Sequence, residues 1–149
     1  MITIIQRVRH ATVTVNNEDI GKIGQGIMAL LAVEKEDTEK EADRLLERIL
    51  NYRIFSDTDD RMNLSLRDCK GGLLLVPQFT LVADTRKGNR PSFTSAAAPE
   101  KSKILFEYCL QQARIANEVV ECGQFGANMQ VSLVNDGPVT FTLQVKNKL

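Results

Sequence analysis

The run IMALLAV, Ile27 to Val33, constrains this chain more than any other stretch. Every position is apolar, where a strand with one wet face would alternate, so the run reads as a central strand covered on both sides. Other strand candidates surround it. Thr3 to Val8 and Ala11 to Val15 read as two strands, the second through the alternation of Ala11, Val13 and Val15 with Thr12 and Thr14, and Asn16 with Asn17 supplies a turn. The glycines of GKIGQG punctuate another turn. LLLVPQFTLVA, Leu73 to Ala83, has strand composition, but Pro77 inside it marks an edge, a bulge or the end of pairing. Met129 to Val134 and Val139 to Val145 flank a turn cluster, Tyr52 to Phe55 is a short candidate, and Arg61 to Leu66 is ambiguous.

Helical periodicity occurs in two places. Thr38 followed by Glu41 forms a capping box, after which Ala42, Leu45, Leu46, Ile49 and Leu50 share one face. A second helix is expected from about Pro99 to Val119, with proline in its first turn and Ile104, Leu105, Tyr108, Cys109, Gln112 and Ile115 at helical spacing. The expected fold class is α+β: a mostly antiparallel sheet or barrel-like core with two main helices packed outside. At 149 residues and 43% hydrophobic, with no linker, repeat or low-complexity tract, residues 1–149 are expected to form a single domain.

Nineteen basic and nineteen acidic side chains cancel, so the whole-chain field marks no generic polyanion binder, although a neutral total can hide a local basic face. Cys69, Cys109 and Cys122 fall in no C-x-x-C spacing and read as buried or free thiols in a reducing cytosol. The apolar run in MITIIQRVRH is too short for a secretory signal, and no segment approaches the ~18 apolar residues of a membrane span. A cytoplasmic protein away from membranes is expected.

Elimination narrows the chemistry. His10 is the sole histidine and lies between strand candidates, so neither a Ser-His-Asp nor a Cys-His arrangement can be built around a second one. There is no H-E-x-x-H, no Walker A loop and no G-x-G-x-x-G after a strand, and SDTDD lacks the glycine and final glutamate of a calcium loop. No metal and no cofactor are expected. Residues that fix backbone and shape remain. Gln78, Phe79 and Thr80 follow the interrupting proline, either as a buried strand in which Phe79 packs or as a site of freed backbone N–H groups able to act as oxyanion donors. Arg86, Lys87 and Arg90 in RKGNRPSF either solvate a turn or, beside a pocket, hold phosphates. Phe125 and Met129 in GQFGANMQ serve core packing or floor a base. Pro138, after Asn135, Asp136 and Gly137, is either the first residue of a strand or a working part in its own right.

Taken together, IIQRV, NYRIFSD, MNL, QFTL with ADT and G..RPSF, and GQFGANMQVSLVNDGPVTF resemble the D-aminoacyl-tRNA deacylase family in order and spacing over nearly the whole chain. The resemblance implies an enzyme that hydrolyses the ester of D-aminoacyl-tRNA, and of glycyl-tRNA mischarged on tRNA(Ala), without a cofactor. It implies a homodimer with a cross-subunit active site, in which a cis Gly137-Pro138 peptide reaches the partner's pocket and excludes L-amino acids. Gln78, Phe79 and Thr80 would then be the catalytic segment, Arg7 would brace the incoming Gly-Pro loop through hydrogen bonds to carbonyls, and Phe125 and Met129 would bound the adenosine pocket. The family usually has serine before QFT; Pro77 stands there instead, which removes a hydroxyl and an N–H. Two other readings are a non-catalytic RNA-binding homodimer and a structural homodimer in which NDGPVT is an interface turn.

Overall fold

A computed structural model of the chain describes residues 1–148. Its first strand, β1 (Ile2–Val15), is fourteen residues long and organises everything that follows. β1 pairs antiparallel with β3 (Gly26–Ala32) along its first half and with β2 (Glu18–Ile23) along its second, while β8 (Gln130–Gln144) runs antiparallel along its whole length. A strand has two hydrogen-bonding edges, so β2 and β3 share one edge of β1 and β8 takes the other. The two strands expected at either side of His10 are therefore one. The break between them is a slip in the β8 register, not a turn.

The remaining elements are α1 (Glu39–Asn51), β4 (Phe55–Ser56), β5 (Met62–Leu64), α2 (Leu66–Cys69), β6 (Gly72–Pro77), α3 (Pro99–Ala116) and β7 (Val120–Cys122), with a 3₁₀ turn at Phe79–Val82. β6 lies parallel to β3, and β7 parallel to β6. Each parallel pair needs a long crossover, and the two amphipathic helices supply them: α1 lies between β3 and β6, and α3 between β6 and β7. The Thr38 capping box forms as expected, with the Thr38 backbone N–H donating to Glu41. β2 also comes back against β7, where a Cβ on Gly21 would stand 2.7 Å from the Cys122 carbonyl oxygen, so the sheet nearly closes into a barrel.

Side chains alternate between two cores. Ile27, Ala29 and Leu31 of β3 join Leu73 and Leu75 of β6 in a cluster with Leu45 and Ile49 of α1 and Leu105 and Cys109 of α3. Met28 of β3 and Leu74 and Val76 of β6 point the other way, to Val8, Ala11, Val13 and Ile23 inside the barrel. This division explains why the IMALLAV run is apolar throughout. Ile27, Met28, Leu73 and Leu74 are at most 1% exposed, and full burial of each such side chain contributes about 1.5–3 kcal/mol.

The structure decides one open expectation and revises others. The QFT segment leaves the sheet: pairing ends at Pro77, and residues 79–82 turn as 3₁₀ helix, so Phe79 is 59% exposed rather than packed in a strand. α3 buries Ser102, Leu105, Phe106, Cys109 and Ala113, leaving Ile104 and Ile115 exposed; small Cys109 and Ala113 form the inward face, a preference that apolar periodicity alone does not reveal. β8 is one strand where two were expected, β2 runs into the segment whose glycines read as a turn, and β7 follows directly on α3 in a stretch for which the sequence suggested no element. Tyr52 to Ile54 are outside any strand, since the short β4 begins only at Phe55.

The tightest backbone approach predicts a measurable effect. A Cβ on Gly26 would fall 1.9 Å from the Gly72 carbonyl oxygen, across the parallel β3–β6 pair. Gly26→Ala is therefore expected to cost about 3 kcal/mol or more, at the upper end for overpacked cores. Urea unfolding should show the midpoint falling while the slope stays constant.

Candidate active site

The candidate site begins where β6 stops. Pro77 is the last residue to pair with β3, and the Gln78 N–H donates to the Leu31 carbonyl at 2.8 Å before the chain turns. Phe79 and Thr80 occupy the first two positions of the 3₁₀ turn. The N–H groups there have no earlier carbonyl within the turn to bond, and Gln78 provides no side-chain cap. The turn closes through Leu81 N–H to the Gln78 carbonyl and Ala83 N–H to the Thr80 carbonyl. Thr80 Oγ1 accepts a hydrogen bond from Gln78 Nε2 and faces solvent.

Beside this turn lies a cleft of about 490 Å³. Val76, Pro77, Gln78 and Phe79 form one wall, Phe125 and Met129 another, and Ala97, Pro99 and Ser102 at the start of α3 a third. Phe125 packs on the helix-side core, with its ring 6.4 Å from that of Phe106, whereas Met129 packs on the barrel-side core, so the cleft opens where the two cores meet. Met129 Sδ also receives the Gln124 N–H at 3.3 Å, and the absence of a side chain at Gly123 gives the sulfur room. Gln78, Phe79, Phe125 and Met129 thus line one cleft. Thr80 is adjacent to the cleft but does not line it. A wider groove of about 1060 Å³ between α1 and the C-terminal segment carries mixed charges and contains none of the predicted residues.

Gly137 and Pro138 are elsewhere. Between the pairs Gln6↔Thr140 and Val8↔Asn135, the single residue Arg7 of β1 faces residues 136–139 of β8, and the surplus chain is expelled as a loop. The Gly137-Pro138 peptide at its tip is cis, and both residues are exposed. Arg7, only 13% exposed, fixes the base of the loop: Nε donates to the Asp136 carbonyl at 2.9 Å and Nη1 to the Ile54 carbonyl at 2.6 Å. Arg7 thus holds carbonyls, as expected, and the loop it holds belongs to its own chain. Arg7 and Arg9 both flank the Asp136 carboxylate, at 3.8 and 3.7 Å. Gly137 has φ 141°, which side-chain-bearing residues rarely adopt, and a Cβ there would lie 2.7 Å from Val139 Cγ2.

Asn135 was not singled out from the sequence. Its Oδ1 accepts the Val139 N–H at 2.7 Å and its Nδ2 donates to Thr140 Oγ1 at 2.9 Å, clasping the loop across Gly137 and Pro138. An Asn two residues before glycine is a signal for this kind of local side-chain turn. His10 is exposed opposite Val134. Among the described residues no helix is long and apolar enough to cross a membrane.

The fold and cleft define a class before they define a family. In overall shape the chain is similar to a solved structure described as c-Myc DNA Unwinding Element Binding Protein, with TM-score 0.94 and 40% identity over 99% of this chain and 100% of that one. A probable eukaryotic D-amino acid tRNA deacylase shares the fold at TM-score 0.86 and 19% identity, covering 97% of this chain and 98% of that one. In sequence, the D-aminoacyl-tRNA deacylase of Pseudoalteromonas translucida (strain TAC 125) is 60% identical over 95% of this chain and 98% of its own. That of Janthinobacterium sp. (strain Marseille) is 58% identical over 98% of both. The family model for D-Tyr-tRNA(Tyr) deacylase matches residues 4–144, and the chain belongs to that family of hydrolases, with D-aminoacyl-tRNA deacylase activity.

The Arg7 contacts give a prediction. Each is a hydrogen bond from a charged donor, worth about 1.5–3 kcal/mol. Arg7→Ala should lower stability by about 2–4 kcal/mol, and amide exchange at Val139 should accelerate more than in the barrel strands. Exchange that rises uniformly would show that the arginine does not hold this loop in particular.

Proposed function

We propose that the chain acts as a homodimer whose sites hydrolyse the ester between a D-amino acid and the terminal adenosine of tRNA. Glycyl-tRNA mischarged on tRNA(Ala) would be a second substrate. The observation that carries this reading is the placement of the Phe79 and Thr80 main-chain N–H groups: unused by the 3₁₀ turn, at the lip of a cleft sized for a nucleoside. An aminoacyl ester is already activated. Donors held against its carbonyl oxygen, with a water admitted from the open side, supply what the reaction needs, and loss of one such donor typically costs ~100 to 1,000-fold in rate. Phe125 and Met129 would bound the adenine, and Gln78 would position the Thr80 hydroxyl rather than activate it as a nucleophile.

The Gly137-Pro138 loop would supply chirality from the other subunit. Within one chain the loop does not line the cleft, yet it is exposed, projects from an edge strand and is held by Arg7 and Asn135. β8 also has a long outer edge with Val131, Val134 and Phe141 exposed, the kind of surface that a second copy covers. A rigid main chain donated across a two-fold axis leaves room for hydrogen or a D side chain and meets an L side chain as a clash. Side-chain identity should then matter little, and glycine should pass.

Three outcomes test the proposal. Incubation with D-tyrosyl-tRNA should release tyrosine much faster than from L-tyrosyl-tRNA, whereas a non-catalytic RNA-binding homodimer would protect both esters. Thr80→Ala should keep turnover within about tenfold of wild type, because a general positioning role is worth far less than a nucleophile. Complete loss would favour covalent catalysis. Gly137→Ala must place a side chain at φ 141°, and should cut D-tyrosyl-tRNA turnover about tenfold or more.

A further inference from the structure

Beyond the cleft, residues 84–95 form a loop that the hydrolytic reading leaves without a role. Its neck is closed by paired backbone hydrogen bonds, Asp84 N–H to the Ser92 carbonyl at 2.7 Å and Ser92 N–H to the Asp84 carbonyl at 3.0 Å. Ser95 Oγ donates to the Val82 carbonyl at 3.0 Å and ties the loop's end to the 3₁₀ turn. This backbone framework sets Phe93 against Phe79, with ring centroids 5.2 Å apart and planes at 49°. Both rings stay in water, Phe79 59% and Phe93 37% exposed, so the pair covers neither core. Two adjacent exposed aromatic rings beside a nucleoside-sized cleft are a stacking platform for bases.

Charge points the same way. Residues 84–95 hold one acid and three bases. Arg86 neutralises that acid, with Nε and Nη2 on Asp84 at 2.9 and 2.7 Å, and holds its carboxyl down at about 2. Lys87 and Arg90 are left on the loop, exposed and with no acidic partner among the described residues. In a chain whose total charge is zero, this is a local surplus of cation next to an aromatic pair. The cleft has the volume of about one nucleoside, so the nucleotides that precede a terminal adenosine lie outside it, and exposed Phe79 lines both the cleft and the surface that continues to Phe93.

Resting on the reading of the cleft as the seat of the terminal adenosine, we propose that residues 84–95 bind the single-stranded nucleotides just before it. Phe93, backed by Phe79, stacks on a base, and Lys87 and Arg90 take the phosphates. Stacking accepts any base and phosphate contacts carry no sequence, so this surface would let one enzyme act on many tRNAs.

The test is turnover of D-tyrosyl-tRNA by the full-length protein across a salt series. Phe93→Ala should raise KM about tenfold, with Phe93→Trp restoring it and Phe93→Leu, which fills the space without a π face, failing to do so. The double variant Lys87→Ala/Arg90→Ala should flatten the dependence of log KM on log salt by about 1.4, or about 0.7 for each lost phosphate contact. A salt slope equal to that of wild type, or rescue by leucine as good as by tryptophan, overturns the inference. So does a Phe93→Ala variant whose dimerisation weakens while KM holds, since the rings would then face a second copy of the chain. Wild-type protein that releases no tyrosine refutes the hydrolytic reading instead, and the salt slope is then read from binding of uncharged tRNA by the same proteins.

Discussion

Everything in this molecule depends on β1 being paired along both edges. One edge carries β3 and then β2, which together begin the barrel, and the other carries β8. The register between β1 and β8 shifts twice: Arg9 is a single extra residue on β1, whereas on β8 four residues face Arg7 and leave the ladder as a loop. It leaves opposite Arg7, whose guanidinium bonds the Asp136 carbonyl of the loop and the Ile54 carbonyl ahead of β4. The loop bearing Gly137 and Pro138 is therefore a consequence of sheet register, and its position is as fixed as the sheet itself.

The cleft has a comparable origin. β3 and β6 each send alternate side chains into two separate cores, and the sheet between those cores ends at Pro77. Past that point neither core has a strand to pack on, and Phe125 from one side and Met129 from the other leave a space between them. The 3₁₀ turn at its lip presents backbone donors because a helix start always does. Pro77 is compatible with this arrangement: it falls where the strand ends, and it forms part of the cleft wall. In the proposed dimer, catalysis and selection would both come from main chain, which makes the lack of a usable histidine unremarkable.

Legibility differed from one segment to another for physical reasons. The Thr38 capping box and the Ala42 to Leu50 face were readable because a helix is a local structure whose signals lie within two turns. IMALLAV was readable as central because burial on both faces leaves no polar positions. The place of Phe79 stayed open because Leu73 to Ala83 keeps strand composition beyond Pro77, and only the absence of a sheet partner for the residues of the turn ends the strand. The face of α3 was misjudged because Ile104 and Ile115 are as apolar as Leu105 and Phe106; the choice fell to the side on which Cys109 and Ala113 let the core come close. Family motifs located Gln78, Phe79, Gly137 and Pro138 where periodicity had nothing to say, but gave no hint that Asn135 clasps the loop.

By itself, the sequence settled the local decisions: two helices, the first with its capping box and the second with proline in its first turn, the apolar strands, the turn at Asn16 and Asn17, and the set of residues from which a site could be assembled. Those depend on neighbours a few positions apart and on side-chain chemistry that does not change with context. Tertiary structure alone decided that β1 runs unbroken, that its register with β8 slips at Arg7, and that the QFT turn and the Gly-Pro loop stand at separate places on one chain. The first two rest on the pairing of β1 with β8, segments more than a hundred residues apart, and the third on where β6 stops pairing with β3; in each the outcome is set by which backbone groups find partners and not by what any short stretch prefers.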